Sequence, residues 1–270
     1  MQKNPNVLTI AGVDPSGGAG VLADIKTMSA LGGYGCAVIA ALTAQNTQGV
    51  TGVLGVDAEF VKAQLDTLFA DVGIDSVKIG MLSDVKVIEV VADAIKRYRP
   101  RYVVLDPVMV AKSGDRLLPE SSVDALRSLL LPLATILTPN LPEAAVLAGE
   151  DEITDRSQML PLAKKLLSMM GDHHWMLLKG GHLVGDAVPD LLVGENESYF
   201  FEGARIVTNN THGTGCTLSS AIATLLPQTE SVPQAVERAK SYISEAIRRS
   251  SDLNVGHGHG PVHHFYALWD

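Results

Sequence analysis

Two glycine-bearing stretches have the make-up of anion sites. GVDPSGGAG at 12–20 lets backbone amides converge without side chains in the way. A helix is expected directly after it, and a helix N-terminus favours negative charge. The stretch has neither a Gly-Lys-Ser/Thr ending nor Gly-x-Gly-x-x-Gly spacing, so it is neither common nucleotide loop. NNTHGTGCTLSSA at 209–221 repeats the arrangement. Gly213 and Gly215 flank Thr214, and an apolar-periodic helix follows with Leu218, Ala221, Ile222 and Leu225 on one face. The amides of 213–216 would point out of that helix start as an oxyanion hole, a device that supports phosphoryl transfer. Cys216 falls in the first turn, where the helix dipole favours a thiolate. A cysteine there is also commonly a small buried hydrophobe.

Other polar groups are scattered. Asp106 ends an apolar run in VVLDPVM, and Asn140 and Glu143 lie in NLPE. Hard oxygen ligands of this kind suit Mg²⁺, although Asp-Pro and Asn-x-Pro are also ordinary turn and cap chemistry. Lys179 follows the apolar WMLL and can reach a phosphate or simply face water. His257, His259, His263 and His264 fit no standard zinc spacing, so a glycine-rich surface loop is expected there. Cys36 sits inside an apolar run and reads as core.

The elements that must position these groups alternate between short apolar runs and helical patterns. Strands are expected at 7–11, 36–43, 53–56, 77–79, 102–106, 136–138 and 175–179, with a hairpin at 190–193 and 199–201. Helices are expected at 19–31, 60–69, 84–98, 123–131, 142–149, 159–170, 214–225 and 232–247. The run CAVIAALT at 36–43 reads as a strand covered on both faces. This alternation predicts a mostly parallel sheet with helices on both faces, and such sheets bind ligands beyond the carboxyl ends of their strands. Polar and glycine residues stand at six of those ends: Gly12-Val13-Asp14, Thr43-Ala44-Gln45-Asn46, Gly80-Met81, Asp106-Pro107, Thr138-Pro139-Asn140 and Lys179-Gly180-Gly181. Together they predict one continuous rim.

Composition narrows the function. The chain has 270 residues, 46% of them hydrophobic and 19% charged, with a formal net charge of −9, and one domain spanning 1–270 is expected. The acidic balance argues against a nucleic-acid partner. Two cysteines make no disulfide framework. No apolar run is long enough for a membrane span, the opening residues lack a signal-peptide core, and a cytoplasmic location is expected.

Taken in order, GVDPSGGAG with Asp24, LTAQN ending at Asn46, KIGML ending at Leu82, LDPVM ending at Met109, TPNLPE ending at Glu143, KGGH ending at His182, THGTGCT ending at Thr217 and GHGP ending at Pro261 closely resemble the hydroxymethylpyrimidine/phosphomethylpyrimidine kinases of thiamine biosynthesis, of the ribokinase-like superfamily. The match spans nearly the whole chain. The resemblance implies a three-layer α/β/α fold, ATP as co-substrate, Mg²⁺, and a homodimer. It implies phosphorylation of 4-amino-5-hydroxymethyl-2-methylpyrimidine to its monophosphate and then its diphosphate. Carried over by position, Gln45 looks like the residue that hydrogen-bonds the pyrimidine. Asp24, Met81, Val108 and Gly12 look like the substrate side, and Lys179, Asn140 and Thr214 like the ATP side. Asp106 and Glu143 look like the metal and phosphate electrostatics, and Gly213, Gly215 and Cys216 like the anion hole with its catalytic thiol. Sugar kinases of the superfamily end this motif in Gly-Ala-Gly-Asp, and the cysteine here argues against a sugar substrate. Pyridoxal or pyridoxine, flat heteroaromatics with the same hydroxymethyl arm, are the alternative substrates.

Overall fold

The computed structural model describes residues 4–82, 84–109, 114 and 120–269; the opening residues 1–3 lie outside it. One nine-stranded sheet runs in the order β3-β2-β1-β4-β5-β6-β7-β8-β9. Its strands are β1 (Asn6–Val13), β2 (Tyr34–Gln45), β3 (Val50–Gly55), β4 (Ser76–Ile79), β5 (Tyr102–Leu105), β6 (Ile136–Leu137), β7 (Trp175–Leu178), β8 (Asp190–Val193) and β9 (Ser198–Phe201). The six strands from β2 to β7 are parallel, and β3, β8 and β9 add antiparallel edges.

Side-chain alternation along the strands builds two cores. Leu8, Val103, Leu105, Leu137, Met176, Leu178 and Leu191 face one apolar cluster. Their neighbours Val7, Val104, Ile136, Leu177 and Leu192 face the other. The first cluster includes residues of α2 (Ala58–Phe69), α3 (Val85–Tyr98), α5 (Leu141–Ala148) and α6 (Met159–Met170). The second includes Met28 of α1 (Gly20–Ala30) and residues of α7 (Thr214–Leu225) and α8 (Val232–Arg248). Both faces of the central strands are therefore dry, as parallel sheets require, and the three-layer α/β/α expectation is met.

Two expectations need correction. β2 runs to Gln45 and pairs with β3 as a hairpin. It is not covered on both faces along its length, since Leu42 is 46% exposed and Leu54 opposite it 67%. The helix expected at 123–131 is broken. It begins as α4 (Glu120–Ala125), widens to a π turn over Leu126–Leu130 and tightens over Leu131–Leu133. Pro132 supplies the reason, because its ring cannot sit in a continuing helix. Arg127 in the wide turn donates to the carbonyls of Val146 and Leu147, at the end of α5.

Chain order reverses beside β1: the chain leaves it for β2 on one side and later returns to β4 on the other. Open sheets bind ligands at such a switch point.

Candidate active site

The strand ends form the rim stepwise. Gly80 N–H donates to Ile10 O, Asp106 N–H to Ile79 O, Thr138 N–H to Leu105 O and Lys179 N–H to Pro139 O, all at 2.9–3.0 Å. Each bond joins one strand's carboxyl end to its neighbour. At the usual strand spacing the rim from β2 to β7 spans roughly 24 Å.

The first glycine loop does not behave as its composition suggests. Asp14, 3% exposed, accepts the N–H groups of Ser16 at 2.9 Å and Ala19 at 3.0 Å and the Ser16 hydroxyl at 2.9 Å. The chain's own carboxylate thus takes amides that an external anion would need. Burial works to raise the Asp14 pKa, but the hydrogen bonds from His212 and Ser16 outweigh it and hold the carboxyl below its ordinary value.

The second loop is open. Gly213 has φ +75°, and a Cβ there would lie 1.7 Å from Gly18 O, so only glycine fits. His212 Nε2 stands 2.7 Å from Asp14 Oδ2, and His212 N–H donates to Gly260 O. The loops therefore interlock, and α7 starts where they meet, with no side chain capping it. Among the described residues, the N–H groups of Gly215 and Cys216 have no acceptor, and both residues are partly exposed. These are the free amides of an anion hole.

Facing them is a charged group built from four strand and helix ends. Lys179 Nζ lies 3.1 Å from Asp106 Oδ1. Thr138 Oγ1 at 3.3 Å and Ser219 Oγ at 3.2 Å hold the Asp106 carboxylate. A Cβ on Gly215 would come within 3.4 Å of Lys179 Nζ and 3.7 Å of Asp106 Oδ2, so the start of α7 lies next to this pair. Glu143 is 8% exposed. Burial pushes its pKa up to about 7, with Asp106 adding to the rise and Lys179 and the Asn140 and Met109 amides opposing it. Burial also works against the Lys179 ammonium, but Asp106 and Glu143 hold its pKa above the ordinary value.

Asn140 has a local task. Its Oδ1 accepts Glu143 N–H and its own N–H donates to Glu143 Oε2, both at 2.8 Å, closing a capping box at the start of α5. Expected on the ATP side, its side chain also caps the helix and orients Glu143.

Beneath the hole lies a fully buried network that sequence reasoning missed. Lys78 Nζ contacts both Asp24 oxygens at 2.9 and 3.0 Å, and Thr9 and Ser220 hydroxyls donate to the same carboxylate at 2.6 Å. Both charged side chains are 0% exposed. Asp24, expected as pocket lining, stands under the site rather than on its surface. Burial opposes the Lys78 charge, yet Asp24, with Cys216 and Asp106, holds its pKa above the ordinary range. Gly80 makes room for it, since a Cβ there would lie 2.7 Å from Lys78 Nζ. A lysine inside the buried strand SVKI was the available signal. Burial pushes the Cys216 thiol up to about 11; Lys78 and the Gly20 amide oppose this, and Asp24 and Asp106 reinforce it. The helix dipole therefore does not produce a thiolate at neutral pH.

On the other flank, Gly12 and Met81 meet: a Cβ on Gly12 would lie 2.9 Å from Met81 Cε. Gln45 is half-buried at the end of β2, its Oε1 3.0 Å from Thr43 Oγ1. Val108 is half-buried just past Asp106. Thr214 Oγ1 donates to Thr211 O at 2.7 Å and shapes the loop. The segment after Gln45 is held from far along the chain: Gly258 N–H donates to Thr47 Oγ1 at 3.1 Å and His259 N–H to Thr47 O at 2.8 Å. His257 and His259 line a cavity of ≈ 400 Å³ there with Thr47, Gln48 and Asn209. His264 is buried against Thr217 at 3.1 Å.

Known proteins match nearly the whole chain. The phosphomethylpyrimidine kinase family matches residues 14–263. The chain is 52% identical over 267 residues to the hydroxymethylpyrimidine/phosphomethylpyrimidine kinase of Escherichia coli, covering 99% of this chain and 100% of that one. The phosphomethylpyrimidine kinase structure from Clostridium difficile superposes with a TM-score of 0.80 at 41% identity, over 90% of this chain and 100% of that one. The ADP complex of Bacillus subtilis pyridoxal kinase superposes with a TM-score of 0.90 at 35% identity, over 99% and 100%. With its free amides at the head of α7 and its rim of strand ends, the chain belongs to the phosphomethylpyrimidine kinase family.

Proposed function

We propose that the protein transfers the γ-phosphoryl group of ATP to the hydroxymethyl arm of 4-amino-5-hydroxymethyl-2-methylpyrimidine, and then a second phosphoryl group to the monophosphate, making the diphosphate used in thiamine biosynthesis. The observation that carries the reading is the pair of unsatisfied amides at Gly215 and Cys216 beside Lys179. Phosphoryl transfer spreads charge over the oxygens of the group in flight, so positioning and fixed donors supply most of the catalysis. The hydroxyl oxygen forms a bond to the γ-phosphorus, the bond to the ADP oxygen breaks, and the hydroxyl proton leaves. Cys216 heads the same helix turn, and its ionised minority accepts that proton. The ADP-bound relative supports the nucleotide assignment.

Two buried carboxylates, Asp106 and Glu143, share the site with one ammonium. That donor set fits Mg²⁺, a hard cation that keeps several waters. Asp106 and Glu143 would hold it, and it would neutralise phosphate charge. Gln45 is proposed to pair with the aminopyrimidine edge, since a carboxamide offers both a donor and an acceptor, with Gly12, Met81 and Val108 around the ring. Asp24 supports this side from below.

The test is one incubation with ATP, Mg²⁺ and the hydroxymethylpyrimidine, with products read by mass. Mono- and then diphosphate is the expected result. The fold match to pyridoxal kinase favours a second reading, so pyridoxal belongs in the same panel. Efficient phosphorylation of pyridoxal with no pyrimidine product would replace the assignment.

A further inference from the structure

The segment that follows Lys179 has almost no regular structure, yet it continues directly from the residue whose ammonium stands next to Gly215. Its carbonyls converge on one side chain. Arg205 Nη1 donates to Gly181 O at 3.1 Å, Nη2 to Leu183 O at 2.7 Å and Nε to Gly185 O at 3.0 Å. Its backbone closes the far end of the segment: Arg205 N–H donates to Asp186 O and Val188 N–H to Gly203 O, both at 2.8 Å. The near end is held by Asp190, whose Oδ1 accepts Gly180 N–H at 2.9 Å while its other oxygen pairs with Lys240 of α8. A Cβ on Gly180 would lie 1.9 Å from Pro189 O, so the chain is packed tightly where it leaves the strand. Among the described residues Arg205 has no carboxylate partner, although ion pairs are common elsewhere on this surface.

Three carbonyls spaced along one stretch and meeting at one point need a planar fork with donors on several edges. Guanidinium provides that and ammonium does not. We infer that Arg205 is a positioning residue for the nucleotide: its guanidinium holds segment 181–186 in the shape that keeps Lys179 and the phosphate side of the site ready for ATP. It acts through the segment and touches no reacting atom. A preorganised wall spares the ordering cost of binding. Losing the fork therefore weakens nucleotide binding and leaves the pyrimidine side, built from β1, β2 and β4, as it was. The inference rests on the reading above that ATP phosphates lie against Gly213, Gly215 and Cys216.

The test compares Arg205→Ala and Arg205→Lys with the native protein. Three readouts are used: ADP affinity by titration, the separate KM values for ATP and pyrimidine, and amide hydrogen exchange. Both variants should bind ADP about tenfold more weakly and show an ATP KM raised by about as much, the scale of a binding-loop ordering cost, with the pyrimidine KM within about twofold. Exchange should quicken in 181–186 and stay unchanged in α7. Methylguanidinium added to Arg205→Ala should recover part of the ADP affinity. Exchange that quickens with ADP affinity unchanged would overturn the inference, as would an Arg205→Lys variant that binds ADP like the native protein. The ADP and exchange measurements need no pyrimidine, so failure of the substrate assignment would be seen separately.

Discussion

His212 Nε2 and Asp14 Oδ2 meet at 2.7 Å across a sequence separation of 198 residues. The contact places the free amides at the head of α7. The first glycine loop, its own amides taken by Asp14, serves as the socket into which the second one fits.

Asp14→Asn should therefore damage both stability and activity. Its amide cannot accept the same set of N–H and O–H donors, and the cost at pH 7 should be about 1–3 kcal/mol. The sign with pH follows from the lowered pKa. The native carboxylate contributes stability above the unfolded value of 3.8 and loses it as pH falls through the lower folded value. Urea unfolding at pH 7 should show the full gap, and the gap should narrow in acid.

Gln45→Ala should raise the pyrimidine KM far more than the ATP KM. Groups of a bound aminopyrimidine left without partners should cost on the order of 1–3 kcal/mol. Steady-state kinetics with each substrate varied in turn decides it, and an unchanged pyrimidine KM would refute the role.

Cys216→Ala keeps the glycine loop, so ATP affinity should hold while kcat falls by roughly 10²-fold, the scale of losing acid–base help. The thiol pKa of about 11 adds a pH signature. Native kcat should climb from neutral into alkaline pH as the thiolate fraction grows. Cys216→Asp supplies a group ionised at neutral pH; it should recover part of the rate and show a flatter profile. Near-native kcat in the alanine variant would reduce the thiol to packing.

Glu143→Gln should stabilise the metal-free protein at alkaline pH. The native state holds the Glu143 proton up to about pH 7 whereas the ordinary value is 4.5. Stability is thus lost as pH rises between those values, by a few kcal/mol at most. A glutamine keeps the capping box without the charge. In EDTA its Tm should exceed the native one at pH 8 and match it near pH 5, while Mg²⁺-dependent activity falls.

The rim was legible because strands buried on both faces read as apolar runs, and the polar residue that ends each run marks the sheet's edge. Asp106, Thr138 and Lys179 were found this way. What the sequence hid was pairing. Nothing in GVDPSGGAG says that Asp14 fills its own loop, because the filling depends on a turn and on His212 far away. Lys78 and Asp24 were both visible, but only the fold brings them together in a dry interior. The wide turn after Ala125 escaped because the apolar period of 123–131 fits an α-helix, and only Pro132 speaks against it.

Thr47 is joined to Gly258 across 211 residues, a distance comparable to that between Asp14 and His212. Closing loops of that length costs entropy that local contacts do not repay, so such contacts form late in folding. The sheet can pair neighbour by neighbour, but the walls of the reaction centre join distant stretches of the chain. Catalytic competence is then a property of the finished topology: partly folded species can hold much of the secondary structure and still turn over nothing.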